Sequence, residues 1–413
     1  MAARIMFHAL QAELETPVTP WLRQESSLQL SLQSFRTTFG PEFFFDLDAL
    51  GVAGRTAWMA DVRQGLQLRA GLDVNVTPVE VNVNAPQVPK EGEPQPPIST
   101  LPIVGARLDV TAFEPAAFLD ATWEPRPGLR VIPGVRLDYY SAISQATVDP
   151  RLAVRWEATR ATALKAGVGL FQQPPQADES AEGTGTPDLQ AERALHVSGG
   201  FEHRFGEAVD VDLTGFWKSL DRMVVRNPAS AYDPSAPSYV NSGTGRIYGL
   251  EALVRGRWGD RASGWIAYTY QRSLRRDRPG EAERPFDFDQ PHNLTAVGSW
   301  AFARNWSLGT RFRLVSGNPD TPVQGSVFDA ASGVYVPLYG KTNSERLPAF
   351  GQLDVRVDRS WLYRTWKLTA FLDVQNVTNR GNVEGWDYSY DYGRREALTG
   401  LPILPILGVE GSW

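Results

Sequence analysis

The chain has 413 residues and a formal net charge of −6; 42% of its residues are hydrophobic and 11% are aromatic. Its mean hydropathy is −0.29, and no stretch approaches the roughly 18 uninterrupted apolar residues of a spanning helix, so it is not a helical membrane protein. The aromatic content argues against a disordered chain, and the acidic balance against a general nucleic-acid binder. The absence of cysteine agrees with an oxidising compartment.

Segments in which apolar and polar residues alternate recur along the whole chain. In 351–359, Leu353, Val355 and Val357 fall on one face of an extended strand and charged residues on the other, because strand side chains alternate with period two. The pattern predicts about seventeen strands, near 4–13, 25–38, 54–63, 66–83, 104–124, 128–141, 149–158, 162–171, 192–205, 209–220, 245–258, 263–273, 291–303, 305–316, 349–359, 365–378 and 404–413.

The connections between these strands alternate in length. Tight turns such as Arg63-Gln64-Gly65 and Gly206-Glu207-Ala208 are followed by long loops. The long loops are predicted at 84–103, 172–191, 221–244, 274–290, 317–348 and 379–403. This alternation is typical of outer-membrane barrels, in which apolar strand faces contact lipid and polar faces line a wet interior. A soluble sandwich more often has mid-length loops at both ends. We therefore predict an all-β fold, an antiparallel transmembrane β-barrel.

Two further features fit a barrel. Apolar residues are even-numbered from Leu66 to Val76 but odd-numbered after Thr77-Pro78, and a β-bulge at the proline would absorb this change of parity. Aromatic residues lie mostly near predicted strand ends, as in the interfacial girdles of membrane barrels; ordinary core or rim positions in a soluble β-protein are the alternative. These residues are Trp58, Trp123, Tyr139, Tyr140, Trp156, Trp217, Trp258, Trp265, Trp300, Trp306, Trp361 and Trp366, and the chain itself ends on Trp413.

A series of short segments follows in a fixed order from about Asp149 to the end of the chain. They are Asp149-Pro150-Arg151-Leu152, Gly169-Leu170-Phe171-Gln172-Gln173-Pro174-Pro175, Asp188-Leu189-Gln190-Ala191-Glu192-Arg193-Ala194, Gly245-Arg246-Ile247-Tyr248-Gly249-Leu250-Glu251, Phe288-Asp289-Gln290-Pro291-His292-Asn293, Leu372-Asp373-Val374-Gln375-Asn376-Val377-Thr378-Asn379, and 408–413. In this order the segments resemble the C-terminal barrel of TonB-dependent outer-membrane receptors. Residues 1–148 match that family only through strand pattern and loop rhythm.

The resemblance implies a 22-stranded barrel, a size that carries a plugged lumen, around an N-terminal plug. It also implies a TonB-box peptide that contacts the TonB–ExbB–ExbD complex. Compared with such a receptor, residues 1–413 are expected to form a single barrel region of about 17 strands. The plug, the TonB box, the signal peptide and about five strands of the family pattern are missing from this sequence. Seventeen antiparallel strands leave the first and last running in the same direction, so closure would need a parallel seam. We therefore expect the sequence to be a fragment of a receptor.

The sequence does not indicate catalysis. Its four histidines, His8, His196, His203 and His292, are scattered without the spacing of a metal site. No G-x-S-x-G nucleophile elbow occurs. We expect no enzyme activity, no metal and no cofactor.

Two loops carry residue types that bind small ligands. Trp386, Tyr388, Tyr390 and Tyr392 stand among acids and arginines in 384–395, a composition that can stack on a ring and hydrogen-bond polar groups. The alternative is an aromatic rim that anchors the loop to its neighbours. The second loop is rich in arginine and could hold an anionic siderophore or lipopolysaccharide, unless it is a solvated charge run. Its arginines are Arg272, Arg275, Arg276, Arg278 and Arg284, of which Arg275 and Arg276 are the predicted ligand-binding residues.

The resemblance implies a receptor in the outer membrane of a Gram-negative bacterium, for TonB-energised uptake of a siderophore, vitamin or carbohydrate. Expected partners are outer-membrane lipid and lipopolysaccharide, a small-molecule ligand, and, only through the missing N-terminal region, TonB–ExbB–ExbD; nucleic acid is not expected. The alternatives are a passive porin-like barrel and a structural or adhesive barrel. The fold does not decide the ligand, because binding loops vary freely on a fixed scaffold.

Overall fold

The computed structural model describes residues 2–40, 42–87, 89–93, 97, 101–181, 185–233 and 235–413. Seventeen long strands form its wall. They are β1 (Ala2–Thr19), β2 (Leu22–Phe39), β3 (Phe43–Arg63), β4 (Leu66–Pro86), β5 (Ile103–Arg126), β6 (Leu129–Tyr140), β7 (Gln145–Glu157), β8 (Thr162–Gln173), β9 (Glu192–Phe205), β10 (Val209–Arg226), β11 (Tyr239–Trp258), β12 (Ala262–Arg276), β13 (His292–Ala303), β14 (Trp306–Val315), β15 (Phe350–Leu362), β16 (Lys367–Gln375) and β17 (Leu404–Ser412).

Shorter elements lie in the connections. A two-residue strand, Arg284–Pro285, pairs with β12, and Pro319–Asp320 pairs with Glu345–Arg346. Two hairpins stand apart from the wall: Val323–Asp329 with Val334–Tyr339, and Val383–Tyr388 with Arg395–Thr399. The helical pieces are Ser141–Ile143, Ala177–Ser180 and Pro228–Ala231. No helix of the described residues is long and apolar enough to cross a membrane.

Every long strand pairs antiparallel with the next one along the chain, so the wall is a single meander. Seventeen strands in this order leave β1 and β17 running in the same direction, and within the described residues no pairing joins them. Their apolar side chains are correspondingly open: Leu10 is 69% and Leu407 is 81% exposed. The predicted antiparallel barrel sheet of about seventeen strands is confirmed.

Several strands are longer than the sequence pattern predicted. β3 begins at Phe43 rather than near residue 54, and β1 continues to Thr19. A strand needs only about 9 to 11 residues to cross a bilayer, whereas β3 and β4 have 21 each. Beyond the bilayer, lipid no longer imposes strict alternation, so the pattern there gives no signal for strand.

The two faces of the wall differ in chemistry. On the outer face Leu152 of β7 pairs with Val168 of β8, and both remain exposed for contact with lipid. The alternate positions of β7 point inward, where Arg151 Nη2 lies 2.7 Å from Asp120 Oδ1 and Arg155 Nη2 lies 2.8 Å from Glu202 Oε2. The wall is therefore apolar outside and ion-paired inside, as the period-two pattern predicted.

The two ends of the wall differ in the length of their connections. At one end all eight connections are short: 20–21, 64–65, 127–128, 158–161, 206–208, 259–261, 304–305 and 363–366. We call this the short-turn end. The opposite end, the loop end, carries the long loops but also two short connections, 40–42 and 141–144. The predicted alternation therefore holds in part, because a tight turn can join antiparallel strands at either end of a barrel.

Exposed aromatic rings gather at the short-turn end. Trp123 pairs with Leu66 beside the turn at 64–65, and Trp258 pairs with Ala262 across the turn at 259–261. The ring of Phe302 lies between those of Trp300 and Trp306, tilted against both, with ring centroids 5.7 and 6.2 Å away. Tyr139 and Tyr140 lie instead at the loop end of β6. The belt at the short-turn end suits a membrane interface, where amphipathic rings are favoured.

The β-bulge predicted at Thr77-Pro78 is wrong. The pairing of β4 with β5 runs without a register shift through Val76↔Phe113, Pro78↔Thr111 and Val79↔Val110. β4 does not change faces there. Instead the apolar residues move from the outer face to the inner face, because this half of the long strand lies beyond the stretch that needs an apolar outer surface.

The motif Asn376-Val377-Thr378-Asn379 ends β16. Asn376 and Asn379 have positive φ angles of 50° and 49°, a conformation that asparagine tolerates better than most residues. The Asn376 backbone N–H donates to Asp354 Oδ1 (2.9 Å), and its side-chain amide donates to the carbonyls of Arg380 (3.0 Å) and Leu401 (3.2 Å). The motif therefore fastens both ends of the connection 376–403 to the wall.

Candidate ligand-binding site

A cavity of about 890 Å³, which we call the large cavity, lies at the loop end, on the inner face of β8 to β12. Part of its lining is the segment 89–93, which belongs to the connection between β4 and β5; we call this segment the strap. The other lining residues include Phe171, Arg193, His196, Lys218, Arg226, Arg275, Asp277, Arg284 and Phe286.

The strap is a tight turn. The Glu93 backbone N–H donates to the Lys90 carbonyl (2.9 Å), and the Lys90 backbone N–H donates to Glu93 Oε2 (2.8 Å). Gly92 has a φ of +78°, and a Cβ added there would lie 2.2 Å from the Arg284 guanidinium. The backbone conformation favours glycine at this position, whereas the Arg284 guanidinium, at the end of a flexible side chain, can shift to admit a Cβ.

The strap contacts loops that are remote from its own strands. Lys90 forms an ion pair with Glu179 of helix Ala177–Ser180, and Arg226 Nε donates to Glu93 Oε1 at 2.8 Å. The Gly92 backbone N–H donates to Asp287 Oδ2 at 2.9 Å. Because β6 to β9 separate β5 from β10 along the sheet, these contacts require the strap to cross the inside of the curved wall.

Burial shifts the pKa values of two strap side chains, Lys90 and Glu91. Burial lowers the pKa of Lys90, although nearby Asp178 and Glu192 act in the opposite direction. Burial raises the pKa of Glu91, and the Asp287 carboxylate raises it further. Arg275, Lys90 and Arg284 counteract part of the rise for Glu91. The strap therefore carries two titratable groups whose charged forms are disfavoured by the position they occupy.

Arg275, a predicted ligand-binding residue, is a buried lining residue of this cavity, 8% exposed. Its guanidinium lies 4.3 Å from the centroid of Phe286 and donates weakly to Ser273 Oγ and to the Leu274 carbonyl, both at 3.3 Å. Within the described residues no carboxylate lies within 4.0 Å of it. The carboxylates of Glu91, Glu192 and Asp277 act on its charge only from a greater distance. A buried guanidinium without a close counter-ion is costly, so this group is suited to an anion.

Asp289 holds the region behind Arg275 in place. It is fully buried and accepts from the Ser273 backbone N–H at 2.6 Å. Its carboxylate is ion-paired with Arg346 of the connection 316–349, and Arg272 Nε lies 3.3 Å from Asp289 Oδ2. Asp289 thus joins β12 to two loops and fixes the strand segment that carries Arg275.

Arg276, the other predicted arginine, does not line the large cavity. Its Nη2 lies 3.6 Å from Glu283 Oε1, and Arg246 pairs with the same carboxylate at 2.5 Å. Neighbouring residues of a strand point to opposite faces, so Arg275 and Arg276 cannot serve one site.

The predicted aromatic residues lie in a different part of the loop end. Tyr390 donates through its hydroxyl to the Gly333 carbonyl (2.6 Å), and its ring meets Tyr335 edge to face at 5.5 Å. Trp386 is covered by the Arg395 guanidinium at 4.4 Å. Tyr390 therefore ties the connection 376–403 to the hairpin of the preceding loop, which agrees with the anchoring role that the sequence left open.

Tyr388 and Tyr392 line a smaller cavity of about 500 Å³ between the two free hairpins. Their ring centroids are 5.7 Å apart. Glu345, Arg394 and Arg395 complete its polar lining. Burial, with Tyr392 and Tyr388 nearby, raises the pKa of Tyr339 to about 12. The six predicted ligand-binding residues are thus divided between separate places, and only Arg275 reaches the large cavity.

Sequence reasoning missed Arg226 and the strap. The signal was present: in the proline-rich stretch 84–103 the charged residues are Lys90, Glu91 and Glu93, grouped around one glycine. A charged turn in an otherwise uncharged loop indicates a specific set of ionic partners. Those partners could not be identified, because they are contributed by loops up to 195 residues away along the chain.

Residues 9–377 match the family model described as TonB dependent receptor-like, beta-barrel. The chain therefore belongs to the TonB-dependent receptor family and supplies its β-barrel. No curated protein matches the chain.

Solved structures agree on the fold. The outer membrane transporter YddB from Escherichia coli has a TM-score of 0.70 at 11% identity, over 98% of this chain and 62% of that chain. The ferric-catecholate import receptor Fiu from K12 E. coli has a TM-score of 0.68 at 13% identity, over 99% of this chain and 64% of that chain. The pyoverdine outer membrane receptor FpvA from Pseudomonas aeruginosa PAO1, bound to pyoverdine, has a TM-score of 0.73 at 11% identity, over 98% of this chain and 61% of that chain. The chain spans less than two thirds of the length of each of these three.

Proposed function

We propose that the protein is the barrel part of an outer-membrane receptor that takes up a small anionic ligand, with energy from the TonB–ExbB–ExbD complex. The observation that carries the proposal is the cavity at the loop end, in which the buried Arg275 has no carboxylate partner among the described residues. The contacts with the energising complex are proposed to lie outside residues 1–413, whose role is the wall, the loops and the ligand cavity.

The location and the ligand class are supported by different features. An apolar outer face and an aromatic belt at the short-turn end support a place in the outer membrane, with lipid and lipopolysaccharide around the wall. Apart from the strap, six cationic side chains line the cavity, against four carboxylates from Asp178, Glu179, Glu192 and Asp277. The six are Arg193, Lys218, Arg226, Arg275, Arg278 and Arg284. Three of the six, Arg193, Arg278 and Arg284, are paired with Asp221, Glu281 and Asp277. Lys218 and Arg275 have no carboxylate within 4.0 Å among the described residues, and the partner of Arg226 is Glu93 of the strap. These three cations support an anionic ligand such as an iron chelate.

Uptake of radioactive ferric citrate tests the energised function. Cells that carry the gene in its native context should accumulate the label, and accumulation should stop when TonB is deleted or the proton-motive force is collapsed. Arg275→Gln should lower accumulation at limiting label, whereas Arg126→Gln at the short-turn end should not. Equal accumulation with and without TonB would contradict the proposal.

Conductance across a planar lipid bilayer tests the main alternative, a passive porin. A receptor that requires energy gives no steady open conductance when the whole protein is inserted. A stable ohmic conductance, together with TonB-independent uptake, would assign the protein to the passive class. A barrel with neither uptake nor conductance would be structural or adhesive.

A further inference from the structure

The strap carries a carboxylate to the place where an anionic ligand is expected. Glu93 Oε1 lies 2.8 Å from Arg226 Nε, and the Glu91 carbonyl accepts from Arg284 Nη2 at 3.3 Å. Arg226 and Arg284 are two of the cationic lining residues of the large cavity. Arg284 is also held by Asp277, whose carboxylate accepts from its Nε and Nη2, both at 2.9 Å. Arg226 is therefore the donor that the strap occupies and that a bound anion would use.

Other contacts keep the strap in this position. Lys90 Nζ lies 4.5 Å from the ring centroid of Tyr239, and the guanidinium carbon of Arg226 lies 5.4 Å from the same centroid. Gly92 donates to Asp287. These contacts are single polar or cation–π interactions, and partly exposed interactions of this kind contribute modestly. The ion pair of Lys90 with the buried Glu179 holds the strap more strongly. The pair of Glu93 with Arg226, in which both side chains are partly exposed, is therefore the contact that an anion displaces more readily.

We propose that the strap is an internal ligand of the cavity, and that a polyanion with carboxylate or phosphate groups binds by displacing Glu93 from Arg226 and pairing with Arg226 and Arg275. The inference rests on the proposed function, since it assigns the regulation of the same site. Only molecules with an open strap are competent for binding, so the apparent affinity for the anion is the intrinsic affinity multiplied by the open fraction. The ligand opens its own site.

Binding of tricarballylate, which carries three carboxylates, tests the proposal on the purified, folded protein by isothermal titration. Two variants free the strap by different means. Glu93→Gln removes its anionic end, and Gly92→Ala forces a left-handed backbone onto alanine and places a methyl against Arg284. Both should bind tricarballylate about tenfold more tightly than the wild type.

Matched controls lie in the turn 206–208 at the short-turn end. Gly206 has a φ of +62° with nothing within 4 Å of an added Cβ, so Gly206→Ala carries the same backbone strain without a clash. Glu207→Gln makes the same charge change as Glu93→Gln. Both controls should bind like the wild type. If the two strap variants also bind like the wild type, the strap does not compete and the inference is overturned.

Arg275→Gln separates this inference from the proposed function. Arg275 makes no hydrogen bond to the strap, and losing its attraction to Glu91 would open the strap and tighten binding, the opposite of the loss expected for a residue that binds the anion. Arg275→Gln should weaken tricarballylate binding at least tenfold. If Arg275→Gln alone weakens binding and the strap variants have no effect, the anionic cavity stands and the strap inference falls. If Arg275→Gln binds like the wild type, the anionic cavity itself is wrong. Inorganic pyrophosphate, tested on the same variants, distinguishes a phosphate ligand from a carboxylate ligand; no binding of either probe to any variant overturns both proposals.

Spin-label distances test the displacement directly. Because the chain has no cysteine, Pro89→Cys on the strap and Ala229→Cys on the turn Pro228–Ala231 give two unique nitroxide sites. The distance between them should lengthen when tricarballylate saturates the protein. An unchanged distance at saturation would show that the anion binds beside a closed strap, which contradicts displacement.

Discussion

At the short-turn end of the wall, aromatic rings lie on the outer face and the connections are two to four residues long. At the loop end, charged side chains from several loops meet inside the wall around the strap and Asp289. The first arrangement repeats along the wall and depends on lipid acting on every strand. The second occurs once and depends on particular partners. A mutation at the loop end therefore changes the stability or binding of the protein through a few specific contacts. The effect of a mutation in the wall depends on whether its side chain lies on the outer or the inner face.

The largest effect is expected for Asp289→Ala. The change leaves Arg272 and Arg346 without their shared carboxylate and the Ser273 N–H without its acceptor. Removing one partner of a buried ion pair costs about 3 to 5 kcal/mol, and the partial exposure of both arginines favours the lower figure. The temperature at which the folded band disappears in semi-native gel electrophoresis should fall. Asp260→Ala in the short turn 259–261 is the control, and an equal fall for both variants would contradict the role of Asp289.

A charge placed on the outer face should lower the stability of the protein by a similar amount, because the charge would contact lipid. Leu152→Arg places a guanidinium against lipid, which costs about 2 to 4 kcal/mol near the middle of a bilayer. Ala153→Arg is the matched control, because residue 153 points to the inner face with Arg151 and Arg155. Urea unfolding in phospholipid vesicles should show a loss of stability for the first variant only. Equal losses would mean that the two faces are assigned incorrectly.

A smaller effect is expected where the two free hairpins meet. Tyr390→Phe removes the hydrogen bond to the Gly333 carbonyl, and a neutral hydrogen bond contributes about 1 kcal/mol, less at an exposed site. Amide hydrogen exchange in 323–339 should become faster, with the wall unchanged. Tyr232→Phe, at a side chain that is 92% exposed, is the control. Unchanged exchange for Tyr390→Phe would leave ligand contact as the better account of Tyr390.

The smallest effect is a pH dependence of the strap. The pKa of Glu91 is raised when the strap is closed, so the closed form binds the proton more tightly than the open form. The closed strap is therefore favoured at pH values below the ordinary pKa of Glu91 and loses this stabilisation as the pH rises through the raised pKa. The nitroxide distance between positions 89 and 229 should lengthen from about pH 4 to about pH 8. Glu91→Gln should remove the part of the response that comes from this group; an identical response in that variant would assign it to other titrating groups.

The sequence predicted the wall well because the same force acts on each strand. Leu353, Val355 and Val357 alternate with polar residues since lipid lies on one side and water on the other, and the turns between strands require particular residues such as Gly65 and Gly128, both with a φ of +77°. Prediction from the sequence was poorer for the parts of the strands that do not need an apolar outer face. β3 and β4 are longer than the roughly 9 to 11 residues that cross a bilayer. In their loop-end halves the pattern predicted no strand in β3 before residue 54 and a bulge in β4 at Thr77-Pro78, instead of continuous strands.

The candidate site shows the same limit. The arginine-rich loop was visible in the sequence, but Arg275 and Arg276 were grouped together although neighbours on a strand point to opposite faces. Tyr390 and Trp386 were assigned to ligand from composition alone, whereas their rings contact the neighbouring hairpin and Arg395. Composition indicates which chemistry a loop can perform; it does not state which neighbour the loop contacts.

By itself the sequence determined the strand number, the outer and inner faces of the wall and the family, because these follow from local, repeated rules of alternation and turn formation. Only the tertiary structure decided that the strap crosses the interior to Arg226 and Arg284, and that Asp289 joins β12 to two loops. Those contacts connect segments far apart in the chain, and their strength depends on distance, burial and counter-charge, which exist only after the wall has formed.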